Sequence, residues 1–217
     1  MGGGGSMMDD IGEMTLDEYR DALASTNPTP GGGTAAAVAL SQAAALTCMV
    51  AELTLSNDKW EGGWLGANEA GNIAVLLLAR GHELAGEDAD AFDAVMDAFR
   101  LPKSSDDELA IRRTEIHEAT HRAAEVPLDT ARNAFALLDS LPELARSGNA
   151  NAVTDVGVAG LLATAACMGA LLNVEINAKS LPSDLGEELI RTVDELRVSA
   201  NQISEAVVDA VARRLIE

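Results

Sequence analysis

The spacing of apolar positions along the chain predicts helices. From Leu185 to Leu215, apolar residues recur every three or four positions, which is the spacing of one apolar stripe along a helix. Residues 35–51 and 156–172 are instead apolar on nearly every side and contain no charged residue. A helix of that kind is surrounded by other helices, so we expect these two runs at the centre of the fold.

Helix boundaries follow from capping residues, prolines and glycines. Thr15 and Glu18 have the spacing of a capping box, which starts a helix that ends near Ser25. Further helices are predicted over residues 34–55, 66–84, 87–99, 104–124, 127–145 and 151–178, before the C-terminal one. No alternating strand pattern and no internal repeat interrupts the series. The prediction is an all-α protein in which residues 9–217 form one bundle of six to eight helices around two Ala-rich central helices.

The charge of the chain restricts its partners. It has 35 acidic and 15 basic residues, and its formal net charge is −20. Such a charge repels nucleic acids and anionic lipid surfaces, so we expect neither as a partner. Arginine outnumbers lysine by twelve to three, and the composition resembles that of proteins from salt-loving archaea. Molar salt shortens the Debye length to about 3 Å and screens the carboxylates. An ordinary acidic cytosolic protein is the alternative.

Location and processing are predicted from three further features. Residues 1–8 are interpreted as an expression linker and the start region, because the chain opens with Met-Gly-Gly-Gly-Gly-Ser. The two uncharged runs are short for a bilayer span, which favours buried bundle helices. Cys48 and Cys167 lie inside these runs and are interpreted as small buried apolar side chains, which fits a reducing compartment. We therefore expect a cytoplasmic protein that does not span a membrane.

A turn rich in proline and glycine precedes the first central helix. Residues 27–34 read Asn-Pro-Thr-Pro-Gly-Gly-Gly-Thr, in which the prolines exclude helix and the glycines permit an open turn. The backbone N–H groups at the start of the next helix can then bind an anion or a polarised carbonyl. A hinge that serves only the path of the chain is the alternative. The turn lacks the lysine of a nucleotide-binding P-loop.

One motif for a metal site is present but is interpreted differently. His117, Glu118 and His121 match H-E-x-x-H, which on a helix places two imidazoles one turn apart for zinc. The surrounding helix is polar on most faces, and Arg122 follows directly. No third ligand has the expected signature. We interpret the segment as a charged exterior helix and expect no metal.

Asp155 stands at the opening of the second central helix, directly before an uncharged run. It either stabilises the helix dipole from the first turn or serves as a proton donor or acceptor. Three polar residues near the far end of this helix either cap it or line a pocket: Asn173, Glu175 and Asn177.

Asp88 belongs to an acidic stretch that ordinarily forms a solvated helix face. Lys103 lies in a loop, where it is either a surface residue or a contact for a carboxylate-bearing substrate.

Several segments together resemble the cyclodeaminase/cyclohydrolase domain of the formiminotransferase-cyclodeaminase family. They are the Pro-Thr-Pro-Gly-Gly-Gly-Thr turn, Met-Val-Ala-Glu-Leu-Thr at residues 49–54, Asp-Ala-Asp-Ala-Phe at 88–92, Leu-Pro-Lys at 101–103 and Gly-Asn-Ala-Asn-Ala-Val-Thr-Asp at 148–155. The likeness runs from about Leu16 to the C-terminus. Two departures are Glu52, where relatives often carry asparagine, and the less basic residues 57–60. A weaker local positive field argues against tight binding of a polyglutamate tail at low salt.

The resemblance implies an all-α homodimer that acts on tetrahydrofolate one-carbon derivatives, with no metal and no cofactor beyond the substrate. The expected reaction is hydrolysis of methenyl-tetrahydrofolate to formyl-tetrahydrofolate, with cyclodeamination of formimino-tetrahydrofolate as the alternative. A non-catalytic acidic helical module that binds a partner protein is the alternative of another class. Which pterin is used stays open.

The resemblance also suggests roles for particular residues. Asp155 is the expected acid/base, with Asp88 and Lys103 as helpers. Eight residues are expected to hold the substrate: Thr29, Pro30, Gly31, Gly32, Gly33, Thr34, Asn151 and Asn173. This hypothesis requires the glycine turn and Asp155 to converge on one cavity of the assembled protein.

Overall fold

Six α-helices make up most of the computed structural model, which describes residues 11–216. They are α1 (Leu16–Leu23), α2 (Gly32–Leu55), α3 (Trp64–Arg100), α4 (Asp106–Ser147), α5 (Val153–Ala178) and α6 (Ser183–Arg214). Short 3-10 turns occur at Ile11–Glu13, Asp58–Gly63 and Ala150–Ala152, and there is no strand in the described range. The all-α prediction is confirmed. The linker assigned to residues 1–8 lies outside the described residues.

The predicted capping box starts α1. Thr15 Oγ1 accepts a hydrogen bond from the Glu18 N–H at 3.2 Å, and the Glu18 carboxylate accepts one from the Thr15 N–H at 2.8 Å. The Thr15 hydroxyl also donates to Glu18 Oε2 at 2.7 Å, and this bond, together with the one from the Thr15 N–H, lowers the pKa of the exposed Glu18 carboxyl. Two backbone N–H groups that the helix itself leaves unpaired are thereby satisfied, as the sequence predicts.

Helices α2 and α5 occupy the centre of the bundle, as predicted. Helix α2 packs on α3, α4 and α5, and its small residues allow close approach: a Cβ added to Gly169 would lie 3.5 Å from Ala36 Cβ. Both central helices are long and apolar enough to cross a bilayer, but 50% and 44% of their most apolar windows are buried among the other helices. The core helices of a bundle share this composition, so length and hydropathy are only weak evidence for a membrane span.

Helix α3 replaces two helices predicted over residues 66–84 and 87–99. The chain continues helical through Gly86, where an added Cβ would meet nothing within 4 Å. A glycine inside a helix costs only about 1 kcal/mol relative to alanine, and packing against α2 and α4 outweighs that cost. The predicted break in α3 is wrong.

Helix α4 likewise runs through Pro127, where a continuation of the preceding segment was predicted to begin. Proline has no N–H, so the carbonyl of Ala123 loses its partner within the helix. Asn177 of α5 donates its side-chain N–H to that carbonyl at 2.8 Å. A neighbouring helix therefore compensates for the proline, and the segments predicted over residues 104–124 and 127–145 are one helix.

Helices α3 and α5 both pack closely against the start of α2. Gly32 and Gly33 approach the end of α5 near Asn173 and the middle of α3 near Asp88. The other end of α2 meets the turn that precedes α5, through Thr54 and Asn149. Helix α6 packs along α5, where Gly160 makes room for the buried Val207. The two ends of α2 thus face different sets of polar residues.

Candidate active site

The carboxylate of Asp88 lies against the first turn of α2. The hydroxyl of Thr34 donates a hydrogen bond to Asp88 Oδ2 at 3.2 Å, and the Thr34 backbone N–H also donates to this carboxylate. A Cβ built on Gly33 would overlap the carboxylate. Only glycine at position 33 leaves room for Asp88 in this place. The turn that was predicted to bind an anion therefore holds a carboxylate of the protein itself.

The environment of Asp88 alters its acidity. Burial raises the pKa of this carboxyl, and the two hydrogen bonds from Thr34 act in the opposite direction but do not cancel the effect of burial. Desolvation disfavours the charged form of an acid, so the proton is held more tightly than in water. A carboxyl group with a raised pKa beside a cavity is suited to accept and return a proton.

A cavity of about 240 Å³ opens beside Asp88. Its lining contains six residues that the sequence analysis assigned to the site: Thr29, Gly31, Gly32, Gly33, Asp88 and Asn173. Pro30, which follows a cis peptide bond, is buried in the same turn, and Thr34 contacts Asp88 directly. The structure therefore gathers eight of the eleven predicted residues at one end of the bundle.

Two asparagines form the wall of the cavity on α5. Asn173 donates its side-chain N–H to the carbonyl of Gly169 at 2.9 Å, and Asn177 donates to the carbonyls of Ala123 at 2.8 Å and Asn173 at 3.0 Å. Their side-chain oxygens accept no hydrogen bond from residues 11–216. Both amide nitrogens are thus held by the protein, and the two amide oxygens are free to accept a hydrogen bond from a ligand.

Five residues that line the cavity are not among the site residues assigned from the sequence, although Asn177 was considered either a helix cap or a pocket residue: Pro28, Phe92, Val95, Ala123 and Asn177. The spacing of three of these residues along their helices could have indicated that they line the cavity. Phe92 and Val95 follow Asp88 by four and seven positions on α3, and Asn177 follows Asn173 by four positions on α5. Residues at these intervals share one face of a helix. Ala123 offered no such signal, because only packing between α4 and α5 brings it to the cavity.

The opposite end of α2 is closed by side chains that donate to its last carbonyls. The Asn149 amide donates to Leu53 O at 3.1 Å, and the Trp64 indole N–H donates to Thr54 O at 3.1 Å. The hydroxyl of Thr54 accepts the backbone N–H of Asn149 at 3.0 Å. The Gly-Asn-Ala-Asn turn before α5 is thereby fixed to the end of α2, since a helix leaves its last carbonyls without partners.

Asp155 and Asn151 belong to this second end. Asp155 is half-buried in the first turn of α5, and its carboxylate forms no hydrogen bond or ion pair with residues 11–216. Asn151 is exposed, and its backbone N–H donates to Asn149 Oδ1 at 3.0 Å. Eighteen helical residues separate Asp155 from Asn173, which corresponds to about 27 Å along α5. One chain by itself therefore does not bring Asp155 and Asn151 to the cavity.

Lys103 lies beyond the cavity in the other direction. It is exposed in the loop between α3 and α4. Helix α3 continues for twelve residues after Asp88, which places its end about 18 Å further along the helix. Lys103 is not in the lining of the cavity within one chain.

The histidine motif of α4 lies on the outside of the bundle, as the sequence analysis proposed. His117 is exposed, and His121 Nδ1 lies 3.5 Å from Glu125 Oε2 one turn later. Nowhere in residues 11–216 do three His, Cys, Asp or Glu side chains gather in a way that can hold a metal ion.

Comparison with known families places the chain among folate-related proteins. A family model described as formiminotransferase-cyclodeaminase matches residues 15–196. A protein of Methylorubrum extorquens named methenyltetrahydrofolate cyclohydrolase is 38% identical over 210 residues, which cover 94% of this chain and 99% of that protein.

Two further relatives show how the same unit occurs elsewhere. Formimidoyltransferase-cyclodeaminase of Gallus gallus is 33% identical over 202 residues, which cover 92% of this chain but 37% of that protein. A crystal structure of formiminotetrahydrofolate cyclodeaminase from Thermotoga maritima matches with a TM-score of 0.83 at 27% identity. That match covers 94% of this chain and 99% of the other.

Proposed function

The chain belongs to the formiminotransferase-cyclodeaminase family, and we propose that it hydrolyses methenyl-tetrahydrofolate to formyl-tetrahydrofolate. The observation that carries this proposal is the likeness to the Methylorubrum extorquens cyclohydrolase, which extends over 99% of that protein at 38% identity. The cavity beside Asp88 supplies one group that can transfer a proton and space for part of the substrate.

Hydrolysis requires a proton acceptor and a proton donor beside one carbon atom. Water attacks the carbon that bridges two folate nitrogens, a C–O bond forms, and one C–N bond then breaks. A base takes a proton from the water, and an acid protonates the departing nitrogen. Asp88 is the acid/base group of the cavity, because its raised pKa suits it to hold a proton between the two steps. Asp155 and Lys103 remain candidates for the second group.

The size and the lining of the cavity suit the ring end of a folate. Ligand pockets ordinarily measure roughly 300–1,000 Å³, so a cavity of about 240 Å³ holds part of the substrate. A pterin ring carries N–H donors at its edge, and Asn173 and Asn177, whose side-chain oxygens accept no hydrogen bond from residues 11–216, line the same cavity. Phe92 and Val95 supply an apolar wall for the face of the ring.

Cyclodeamination is a second candidate, favoured by the structural likeness to the Thermotoga maritima cyclodeaminase. In that reaction a folate nitrogen attacks the formimino carbon, and ammonia leaves after protonation. The tetrahedral carbon again bridges two folate nitrogens, so one acid/base group at Asp88 serves either reaction.

Two assays on one preparation separate the candidates. Loss of the methenyl-tetrahydrofolate absorbance shows hydrolysis, and release of ammonia from formimino-tetrahydrofolate shows cyclodeamination. We expect the first signal. Ammonia release alone would assign the chain to the second reaction, and neither signal would favour a non-catalytic module that binds a partner protein.

The same proposal includes the setting in which the protein works. It is a cytoplasmic homodimer that uses no metal and no cofactor beyond its substrate. The two cysteines are free, which suits a reducing compartment, and burial raises the pKa of the Cys167 thiol to about 11, so this thiol stays protonated and unreactive. Dialysis against EDTA should leave the turnover of the purified protein unchanged. Stability that rises steadily from 0.1 M to 3 M KCl would support adaptation to high salt.

A further inference from the structure

Pro127 interrupts the hydrogen bonds of α4 beside the cavity. Proline has no N–H, so the carbonyl of Ala123, four residues earlier, receives no bond from position 127. Ala123 lines the cavity, and Pro127 is buried inside the helix. The proline therefore leaves, at the wall of the cavity, an acceptor that an uninterrupted helix would use within itself.

Asn177 of α5 donates to this acceptor. Its side-chain nitrogen donates to Ala123 O at 2.8 Å and to Asn173 O at 3.0 Å. A primary amide has two N–H groups, and these two bonds use both of them. Both partners are carbonyl oxygens, which can only accept, so an exchange of the amide nitrogen and oxygen would break both bonds. The backbones of two helices therefore fix the orientation of Asn177.

This orientation decides which atom of Asn177 is available to a ligand. Asn177 lines the cavity, and its side-chain oxygen accepts no hydrogen bond from residues 11–216. The neighbouring Asn173 is held less firmly, because its amide donates only to Gly169 O on its own helix, at 2.9 Å, within the described part of the chain. Asn177 is thus the cavity asparagine whose amide is anchored to a second helix.

We propose that Pro127 is a positioning residue for the substrate. It frees the Ala123 carbonyl, this carbonyl anchors the Asn177 amide, and the Asn177 side-chain oxygen accepts a hydrogen bond from an N–H group of the pterin ring. This inference rests on the proposed function. An acceptor that is already oriented loses little freedom when the ligand binds, which favours binding. It also disfavours a ligand with an acceptor at the same place, since both groups would then be buried without a donor.

Pro127→Ala tests the proposal. The alanine N–H can bond to Ala123 O and compete with the Asn177 amide, which becomes free to turn. The KM for methenyl-tetrahydrofolate should rise about 3- to 10-fold, as for the loss of one neutral hydrogen bond, while kcat changes by less than about 2-fold. Alanine favours a helix more than proline does, so the variant should resist urea at least as well as the wild type. A lower kcat at unchanged KM would overturn the proposal.

Pro142→Ala is the matched control. Pro142 is also a buried proline inside α4, but it lies fifteen residues further along, about 22 Å, and is not in the lining of the cavity. Its replacement makes the same chemical change and should leave both KM and kcat at the wild-type values. Equal KM in the two variants, whether raised or not, would refute the proposal, because the effect would then not depend on the Ala123 carbonyl.

A double-mutant cycle identifies the residue through which Pro127 acts. Asn177→Leu removes the side-chain oxygen and should by itself raise KM about 3- to 10-fold. In a chain that already carries Asn177→Leu, Pro127→Ala should change KM by less than about 2-fold, because no amide remains to be positioned. If the two increases multiply instead, Pro127 acts through another residue and the proposal is wrong.

A measurement without substrate separates this inference from the proposed function. Both side-chain N–H groups of Asn177 are hydrogen-bonded, so NMR should show them protected from exchange with solvent in the wild type. Pro127→Ala should lose this protection and Pro142→Ala should keep it. Unchanged protection in Pro127→Ala would show that the proline does not hold the amide. A wild-type protein without either folate activity would overturn the proposed function and the ligand named here, while the exchange measurement would still decide whether Pro127 orients Asn177.

Discussion

The two ends of α2 are closed by opposite chemistry. At its start the helix N–H groups meet a carboxylate, Asp88, which α3 supplies. At its end the carbonyls of Leu53 and Thr54 meet N–H donors from Asn149 and Trp64. The polarity of a helix decides this difference, because only donors are unpaired at its start and only acceptors at its end.

This comparison shows why one end is suited to chemistry and the other to support. The group recruited to the start of α2 can gain and lose a proton, and a cavity lies beside it. The groups recruited to the end are an amide and an indole, which do not titrate in the usual range. Substitutions at the start of α2 should therefore change turnover, whereas substitutions at its end should change stability.

The largest effect is expected from Asp88→Asn. The amide keeps the size and the hydrogen bond from Thr34 but accepts no proton, so turnover should fall by 10²- to 10⁴-fold, the range of about 10²–10⁴ typical of general acid–base catalysis. Steady-state kinetics measure this loss. Asp90→Asn, at an exposed position two residues along the same helix, is the control and should turn over normally. Normal turnover of Asp88→Asn would contradict the assignment of catalysis to the start of α2 and of structural support to its end.

Gly33→Ala tests whether turnover depends on the position of the Asp88 carboxylate as well as on its ability to transfer a proton. The added Cβ would overlap the Asp88 carboxylate and displace it. A displacement of about 1 Å can cost about 10²-fold in rate, so we expect a loss of that order. Gly32→Ala is the comparison one residue earlier: it adds the same methyl group to the lining of the same cavity, but its Cβ would lie 3.9 Å from Asn173 Nδ2, an ordinary contact, and would not displace Asp88. Equal turnover of the two variants would show that Gly33 is not needed to position Asp88.

Thr54→Val should act at the other end on stability. It removes the hydroxyl that accepts the Asn149 N–H at 3.0 Å and leaves that donor without its partner. The free energy of unfolding should fall by about 1–3 kcal/mol, measured by urea denaturation. Thr192→Val is the control, since the Thr192 hydroxyl donates to Glu188 O at 3.1 Å on an exposed surface, as the Thr54 hydroxyl donates to Val50 O at 2.8 Å, but accepts no backbone N–H within residues 11–216. A greater loss of stability in the control would contradict the supporting role of Thr54.

The pH dependence of stability sharpens the contrast further. The pKa of Asp88 is raised in the folded protein, so the folded state binds more protons than the unfolded state above pH 3.8 and up to the raised value. The free energy of unfolding contributed by this group therefore falls as pH rises through that window. Asp88→Asn lacks this loss, so the Tm of the variant minus the Tm of the wild type should increase between pH 4 and pH 7. A constant difference in Tm across the range would show that burial does not shift Asp88.

Much of this fold could be predicted from the sequence because the helices carry local signals. The capping box at Thr15 and the two uncharged runs identify α1, α2 and α5 without any knowledge of packing. The glycine turn likewise identifies the start of α2 as a place for an anion. The resemblance assigns Asp88 to the same site, but no local signal shows that its carboxylate is the anion at this turn. Gly33 and Asp88 are 55 positions apart, and only the packing of α3 on α2 joins them.

The two segments predicted on either side of Pro127, the second as a continuation of the first, form one helix for a similar reason. Within α4 alone the proline removes a hydrogen bond, and nothing nearby in the sequence replaces it. The replacement comes from Asn177, fifty residues later, which also lines the cavity. One asparagine thus supports the helix and contributes to the site, and periodicity within α5 indicates its place beside Asn173 but not its bond to α4.

A double-mutant cycle on this pair should give the smallest effect. Asn177→Leu leaves the Ala123 carbonyl without a donor and should cost about 1–3 kcal/mol of unfolding free energy. When Pro127→Ala restores a backbone N–H to that carbonyl, the same loss of Asn177 should cost less, with a coupling of about 0.5–1.5 kcal/mol in urea denaturation. Asn133→Leu, whose amide bonds only to the Asp129 carbonyl, should show no coupling to Pro127. Additive effects for Asn177 would mean that the proline is tolerated for a reason other than this hydrogen bond.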